Sequence, residues 1–185
     1  MTTLKVHTIE SAPEGSKAQL EASVKGFGML PGLHGVLASS PETLEAYKKL
    51  HSLFSKTSFN KEELTVVWQT INVENECHYC VPAHTGIANM MKVDPALTEA
   101  LRDGKAMTSD KLQALHDMTL KIVRNRGHIT EKDLDTFYNA GYGEQQVLEI
   151  ILGIAQKTIS NYTNHIANTP VDARFQKFAW EAKIK

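Results

Sequence analysis

Apolar residues recur at spacings of three and four along much of this chain, which is the period of an amphipathic α-helix. Leu44, Tyr47 and Leu50 recur in this way after Ser40 and Pro41, which are typical of a helix start. Capping residues ahead of similar runs indicate four more helix starts, at Asn60, at Ser109 or Thr108, at Thr130 and at Gly143. No Asn-Gly or Asp-Gly hairpin turn lies between alternating apolar runs. The pattern therefore predicts an all-α fold.

The two ends of the chain are less regular. We predict a short helix over residues 16–25, another helix from about residue 33, and a final peripheral helix over about 171–183. No low-complexity linker divides the sequence. Residues 1–185 are therefore predicted to form one domain.

Residues 147–169 faintly repeat the pattern of residues 66–85, because each has an apolar helix, a polar turn, and then His and Thr. If the fold contains an internal pseudo-repeat, His165 is the counterpart of His84. The simpler alternative for His165 is a structural role in capping or packing.

Charge and hydropathy argue against two broad classes of function. Lys plus Arg number 20 and Asp plus Glu number 21, so the formal net charge of −1 gives no basic footprint for nucleic acid or an anionic membrane. No apolar run approaches the roughly 20 residues of a membrane span. The first ten residues lack the apolar segment of a signal peptide. We therefore predict a cytoplasmic protein without nucleic-acid or membrane partners.

Both cysteines of the chain lie in one short motif, Cys77-x-x-Cys80, and His84 follows four residues later. Pro82 is tolerated only in a first helical turn, so a helix here begins no earlier than about residue 78. Cys80 then lies in the first turn, where unpaired N–H groups and the helix dipole favour a thiolate. His84 lies one turn further along the same face. This spacing predicts a two-cysteine redox pair with Cys80 as nucleophile, Cys77 as resolving thiol and His84 as base.

Two other interpretations of the motif remain open. His78 could join Cys77, Cys80 and His84 in a metal site, although structural zinc sites usually take a second ligand pair from a distant loop. The thiols could also be inert packing residues, but two cysteines falling within four positions by chance is improbable. His78 could equally lower a thiol pKa or be an exposed loop residue.

The pattern Glu-x-x-Cys-x-Tyr-Cys-x-x-x-His of residues 74–84 resembles the AhpD-like / carboxymuconolactone decarboxylase family, in its peroxidase-related branch. The resemblance is strongest over residues 40–125 and includes Tyr79 within the motif. It implies an AhpD-like helical bundle that assembles as a homo-oligomer, a trimer or hexamer, and reduces hydroperoxides without a prosthetic group. It also implies that Cys80 is the peroxidatic cysteine, that Cys77 donates a proton and resolves, and that His84 belongs to a proton relay.

The sequence departs from this family at one position. The family usually has a Glu 12 residues before the first motif cysteine, whereas Thr65 occupies that position here. A threonine cannot hold the negative charge that would stabilise an imidazolium. We therefore expect a differently wired relay. Glu63 lies about 200° round the helix from this position and is expected to face elsewhere, whereas Glu62 is closer to the right face but one turn lower. Glu74 and Glu76 beside the motif are the other candidate carboxylates.

The leading prediction is a thiol peroxidase or disulfide reductase that acts on hydroperoxides or a partner protein's disulfide and is recycled by a thiol reductant. One alternative is a non-catalytic helical oligomer whose Cys-x-x-Cys pair senses redox state or holds metal. Another is a decarboxylase-like relative on the same scaffold, whose activity would not need the thiols.

Overall fold

The computed structural model describes residues 4–107 and 109–182 and is all-helical in those ranges, with no strand among them. The all-α prediction is therefore confirmed. The helices, in chain order, are α1 (Glu14–Phe27), α2 (Gly32–Leu37), α3 (Pro41–Phe54), α4 (Lys61–Glu74), α5 (Cys80–Met90), α6 (Pro95–Asp103), α7 (Asp110–Arg124), α8 (Glu131–Asn139) and α9 (Glu144–Ala167), followed by a 3₁₀ helix (Ala173–Phe178).

Four of the predicted helix starts are confirmed by side chains that cap the helices. The Ser40 hydroxyl accepts a hydrogen bond from the backbone N–H at the third position of α3, and Ser109 does the same for α7. Asn60 and Glu63 form a reciprocal capping box at the start of α4. Thr130 caps α8 in the same way. The alternative cap Thr108 lies outside the described residues.

One helix is not predicted by the sequence pattern, and the extent of another is predicted wrongly. Residues 95–103 form α6, for which the sequence does contain signals: Asp94 caps it, Pro95 opens it and Gly104 closes it in a left-handed conformation. The predicted final helix is only the short 3₁₀ helix, because the backbone is extended at Asp172 before it and at Ala179 after it. That segment is also not peripheral, since it packs against α5.

Two hydrophobic clusters form the core. The larger surrounds α4 and is built where α4 packs on α6, α7 and α9, with Ile71, Leu115 and Ile150 completely buried. The smaller joins the N-terminal helices to the start of α5 and contains both cysteines. The space between the two clusters is where the candidate site lies. No helix in the described ranges has the length and apolarity needed to cross a membrane.

Candidate active site

Cys80 is the first residue of α5, and the helix start agrees with the limit that Pro82 sets. The backbone N–H of Cys80 donates a hydrogen bond to Sγ of Cys77 at 3.3 Å. Both cysteines are reduced and buried. The two sulfur atoms therefore lie together at the positive end of a helix, in the arrangement that the motif predicts.

Helix α9 contributes two amides to the Cys80 sulfur. Nδ2 of Asn164 donates a hydrogen bond to Sγ of Cys80 at 3.3 Å, and Asn161 stabilises the anionic sulfur as well. Both amides are fully buried. A buried sulfur that accepts N–H donors is better stabilised as a thiolate than as a thiol.

The two thiols differ in acidity. Burial would raise the pKa of Cys80, but the hydrogen bond from Cys77, the charge of Lys157 and the amides of Asn164 and Asn161 outweigh it and lower that pKa below its ordinary value. Burial and the hydrogen bond to Cys80 raise the pKa of Cys77 well above its ordinary value. Of the two thiols, Cys80 is therefore the more acidic, and the Cys77 thiol donates a hydrogen bond to its sulfur.

Lys157 of α9 is the cation next to this pair. It is 1% exposed, and its Nζ lies 3.0 Å from Nε2 of His84. Burial lowers the pKa of Lys157, whereas the charges of Cys80 and Cys77 act in the opposite direction. Burial and the charge of Lys157 lower the pKa of His84 well below its ordinary value. His84 is therefore neutral near pH 7 and accepts a hydrogen bond from the Lys157 ammonium.

No carboxylate in the described part of the chain contacts His84. Thr65 is buried, and its hydroxyl donates to the backbone carbonyl of Lys61. Glu63 is used by its own capping box and by the hydroxyl of Tyr142. Glu74 pairs with Arg124 on the surface. The remaining two candidates, Glu62 beside Lys61 and the exposed Glu76, make no contact with the site either.

A network of buried side-chain amides links α4, α5 and α9 and fixes their relative positions. Asn161 donates to Asn72 at 3.0 Å, and Asn72 donates to Gln69 at 3.0 Å. Gln69 in turn donates to the carbonyl of Val81 and to the hydroxyl of Thr85 in the first turns of α5. Because these amides satisfy one another, they fix the position of α9 relative to the motif helix.

A cavity of about 460 Å³ opens beside Cys80. Its floor consists of buried side chains, among them Tyr47, Trp68, Cys80, His84 and Lys157. The indole N–H of Trp68 donates to Gln156, whose amide donates to Nδ1 of His51, and the rings of Trp68 and His84 lie 4.9 Å apart. The volume is within the range of sites for small organic molecules.

The segment after α9 closes one side of the cavity. The hydroxyl of Tyr79 donates to Asp172 at 2.6 Å, and the other carboxylate oxygen of Asp172 accepts the backbone N–H of Gly32. Phe175 packs so closely on α5 that a Cβ at Gly86 would overlap its ring. The 3₁₀ helix is therefore part of the cavity wall.

The two remaining histidines from the sequence reading lie elsewhere. Nε2 of His78 contacts the carbonyl oxygen of Thr169 at 3.0 Å, and His165 is exposed on α9. Across residues 4–107 and 109–182, no three His, Cys, Asp or Glu side chains group in a way that could hold a metal ion. The metal alternative thus gains no support from the geometry.

The sequence reading missed Lys157, Asn161, Asn164 and Asp172. A signal for the first three was present, because Gln156, Lys157, Ser160, Asn161 and Asn164 form a polar stripe at helical spacing inside an otherwise apolar helix. A polar stripe on a buried helix needs buried partners. Asp172 had no such signal, since it lies in an irregular segment.

The fold is similar to that of several solved structures. One is an uncharacterized peroxidase-related protein from Ralstonia eutropha JMP134, described as an alkylhydroperoxidase AhpD core, with a TM-score of 0.83, 20% identity and 94% of each chain covered. Another is a peroxidase-related protein from Silicibacter sp. TM1040, with a TM-score of 0.80, 20% identity, and 94% of this chain and 93% of that chain covered.

A third is a variant of the debrominase Bmp8 in complex with 2,3,4-tribromopyrrole, with a TM-score of 0.73, 17% identity, and 96% and 95% of the two chains covered. No protein-family model matches the chain, and no curated protein sequence matches it significantly. At these identities the likeness establishes the fold, and the chain therefore has the AhpD-like all-helical fold that its motif predicts.

Proposed function

We propose that the protein is a dithiol oxidoreductase that reduces organic hydroperoxides through the Cys77–Cys80 pair. The observation that carries this proposal is the Cys80 sulfur at a helix N-terminus, which accepts hydrogen bonds from Asn164 and Cys77 beside the buried cation Lys157. An anionic sulfur at the floor of an apolar cavity is a nucleophile placed where an organic substrate can bind.

The reaction balances with the groups present. The Cys80 thiolate attacks the outer oxygen of R–O–O–H, which breaks the O–O bond and gives a Cys80 sulfenic acid and an alkoxide. Lys157 gives a proton to the alkoxide, which leaves as R–OH. The Cys77 sulfur then attacks the Cys80 sulfenic sulfur, forms the disulfide and releases water with its own proton. A thiol reductant restores both thiols by exchange.

Lys157 has a consistent role through this cycle. While Cys80 is anionic, the ammonium of Lys157 is its counterion. Once the disulfide has formed, no anion remains, and burial favours the neutral amine. His84 accepts a hydrogen bond from Lys157 and so orients it. The pair replaces the carboxylate relay that the resemblance implies.

A second candidate reaction follows from the aromatic floor of the cavity, which suits a flat ring. The debrominase Bmp8 has the same fold. Attack of the Cys80 thiolate on the bromine of an aryl bromide would give a sulfenyl bromide and a carbanion, which takes a proton. Attack by Cys77 would then release bromide and close the same disulfide.

The test is a stopped-flow titration of free thiols after reduced protein is mixed with one equivalent of cumene hydroperoxide. We expect fast loss of two thiols in the wild type and fast loss of one in Cys77→Ser, whose Cys80 stops at the sulfenic acid. Cys80→Ser should lose thiol only slowly. Slow loss in the wild type would overturn the proposal, and bromide release from a bromopyrrole in the same assay would favour the second reaction. If a variant without both thiols, Cys77→Ser combined with Cys80→Ser, still turned over a substrate, the chemistry would be of the decarboxylase type, which does not need them.

We also propose that the chain forms a homo-oligomer through α9. The outer face of this helix exposes four large apolar or aromatic side chains, at Leu148, Ile151, Tyr162 and Ile166. They share one face, opposite the stripe that reaches the thiols. A contiguous apolar stripe of this kind is typical of a protein interface.

A further inference from the structure

The cavity has a buried floor and an exposed rim of different chemistry. The floor holds the reacting sulfur and Lys157. At the rim, Phe27 and Met90 are 44% and 56% exposed, and Lys48 and Arg174 are the charged side chains beside them. A molecule whose reacting atom is at Cys80 therefore extends past apolar walls toward these two cations.

Within the described residues, the two rim cations contact only neutral partners. Nζ of Lys48 donates to the carbonyl of Gln19 and to the hydroxyl of Ser23. Arg174 donates to the carbonyl of Phe27 and to the sulfur of Met90. No carboxylate lies within ion-pair distance of either side chain in the described part of the chain. One N–H of Lys48 and three of Arg174 are therefore left for an incoming group.

The cavity is more positive than the protein as a whole. Its charged lining residues are Lys48, Lys157, Arg174 and Asp172. Asp172 is held by the Tyr79 hydroxyl and the Gly32 N–H, and Lys157 is balanced by the Cys80 thiolate. A positive rim in a chain of net charge −1 is a local feature, and such a feature attracts an anion.

The walls between rim and floor are apolar and adaptable. They are lined by Met29, Ile87, Met91 and Phe175, and they continue into Phe27 and Met90 at the rim. Methionine side chains adjust to irregular apolar ligands because they are unbranched and flexible. Aromatic rings add contact area around them. The cavity therefore favours a ligand with a large apolar body.

We propose that the substrate is an organic hydroperoxide with an apolar body and an acidic group, whose anion binds Lys48 and Arg174 at the rim while the peroxide reaches Cys80. This inference rests on the proposed function and narrows its substrate class. The acidic group takes no part in the redox step, which consumes the O–O bond and the two thiols as described above. Its contribution is to affinity and orientation.

The test compares linoleic acid hydroperoxide with its methyl ester, because the ester removes the charge and keeps the apolar body and the peroxide. With excess dithiothreitol as the reductant, we expect the KM of the acid to be about tenfold lower than that of the ester, with similar kcat. A tenfold change corresponds to about one charge-assisted hydrogen bond. Equal KM values would overturn the inference.

Matched variants locate the effect. Lys48→Gln and Arg174→Gln should each raise the KM of the acid several-fold and leave the KM of the ester unchanged. Lys49→Gln and Lys177→Gln are the controls, because these lysines are exposed and lie outside the cavity lining. If all four substitutions raised the KM of the acid equally, the effect would come from the general surface charge. That result would overturn the assignment of the anion site to Lys48 and Arg174 at the rim.

Binding of the product separates this inference from the proposed function. The corresponding hydroxy acid and its methyl ester cannot react with a thiol, and calorimetric titration measures their affinity directly. Tighter binding of the acid, lost in Lys48→Gln and Arg174→Gln, supports the rim site even if no hydroperoxide is turned over. Equal affinity of acid and ester overturns it even if turnover is fast.

Discussion

Nζ of Lys157 lies 3.0 Å from Nε2 of His84, and both side chains are almost completely buried. A buried ammonium is costly unless an anion compensates it. The anion here is the Cys80 thiolate, whose charge favours the protonated form of Lys157. The site therefore surrounds the Cys80 sulfur with Lys157 and with amides, and His84, whose neutral form burial favours, serves as an acceptor for Lys157.

Replacing this cation should make Cys80 less acidic. In Lys157→Met the thiolate loses its counterion, and we expect the Cys80 pKa to rise by at least about one unit. The measurement is the pH dependence of iodoacetamide alkylation at Cys80, followed by mass spectrometry of the reduced protein. Peroxide reduction at pH 7 should slow in parallel.

Lys132→Met is the matched control for this substitution, because Lys132 is exposed on α8 and far from the motif in the chain. It should leave the alkylation profile unchanged. An unchanged profile in Lys157→Met, with thermal unfolding showing an intact fold, would refute the counterion role of Lys157.

Acid should destabilise the fold before the carboxylates titrate. Burial, with the charges of Lys48 and His51, lowers the pKa of His34 to about 3, and burial together with Lys157 lowers that of His51 to about 4. An unfolded histidine titrates near 6.5, so the unfolded state binds more protons below that pH. The stability that these two histidines contribute is therefore full above about pH 7 and is lost as the pH falls toward 4. Each histidine should contribute roughly 2 to 3 kcal/mol to that loss.

Urea unfolding between pH 7.5 and 4.5 measures this loss. His51→Gln should flatten the dependence of the unfolding free energy on pH, since a glutamine has no proton to bind. His165→Gln is the control, because His165 is exposed. The explanation fails if both substitutions change the slope equally.

Most of the secondary structure could be predicted from the sequence, because capping residues such as Ser40 and Asn60 act locally. The position of Cys80 in the first turn of α5 could be predicted for the same reason, since Pro82 limits where that helix starts. These features depend on residues only a few positions apart.

The partners of the Cys80 sulfur could not be predicted as readily. Lys157 and Asn164 lie 77 and 84 positions after Cys80, and only the packing of α9 against α5 brings them to it. Asp172 reaches Tyr79 from an irregular segment. A periodic pattern shows which face of a helix is buried. Which other helix packs on that face depends on the tertiary fold.

The contact between Gly86 and Phe175 should hold the cavity wall in place. In Gly86→Ala the new methyl group overlaps the Phe175 ring, so the 3₁₀ helix must shift. We expect a loss of about 1 to 3 kcal/mol in unfolding free energy and a raised KM for bulky hydroperoxides. Alkylation of Cys80 by iodoacetamide should change little, because the hydrogen bonds to its sulfur remain.

Gly26→Ala is the matched substitution, because a Cβ at this position in α1 meets no atom within 4 Å. It should stabilise the fold by about 0.5 to 1 kcal/mol through helix propensity and leave the KM unchanged. If both variants changed the unfolding free energy and the KM in the same way, the position of Phe175 would not depend on the absence of a side chain at Gly86.

The exposed face of α9 supplies the last prediction. Leu148 and Ile166 are 66% and 59% exposed, and burial of such side chains between subunits would stabilise an oligomer. Leu148→Glu combined with Ile166→Glu should place like charges in that interface and shift the mass measured by light scattering to that of a monomer. His165→Glu adds a charge to a neighbouring exposed position of the same helix and should leave the mass unchanged. If the wild type is already monomeric at micromolar concentration, or if the double variant keeps the wild-type mass, α9 is not the interface. Because the opposite face of the same helix carries Lys157 and Asn164, a monomeric variant with slower Cys80 alkylation would also show that assembly stabilises the position of these two residues at the thiolate.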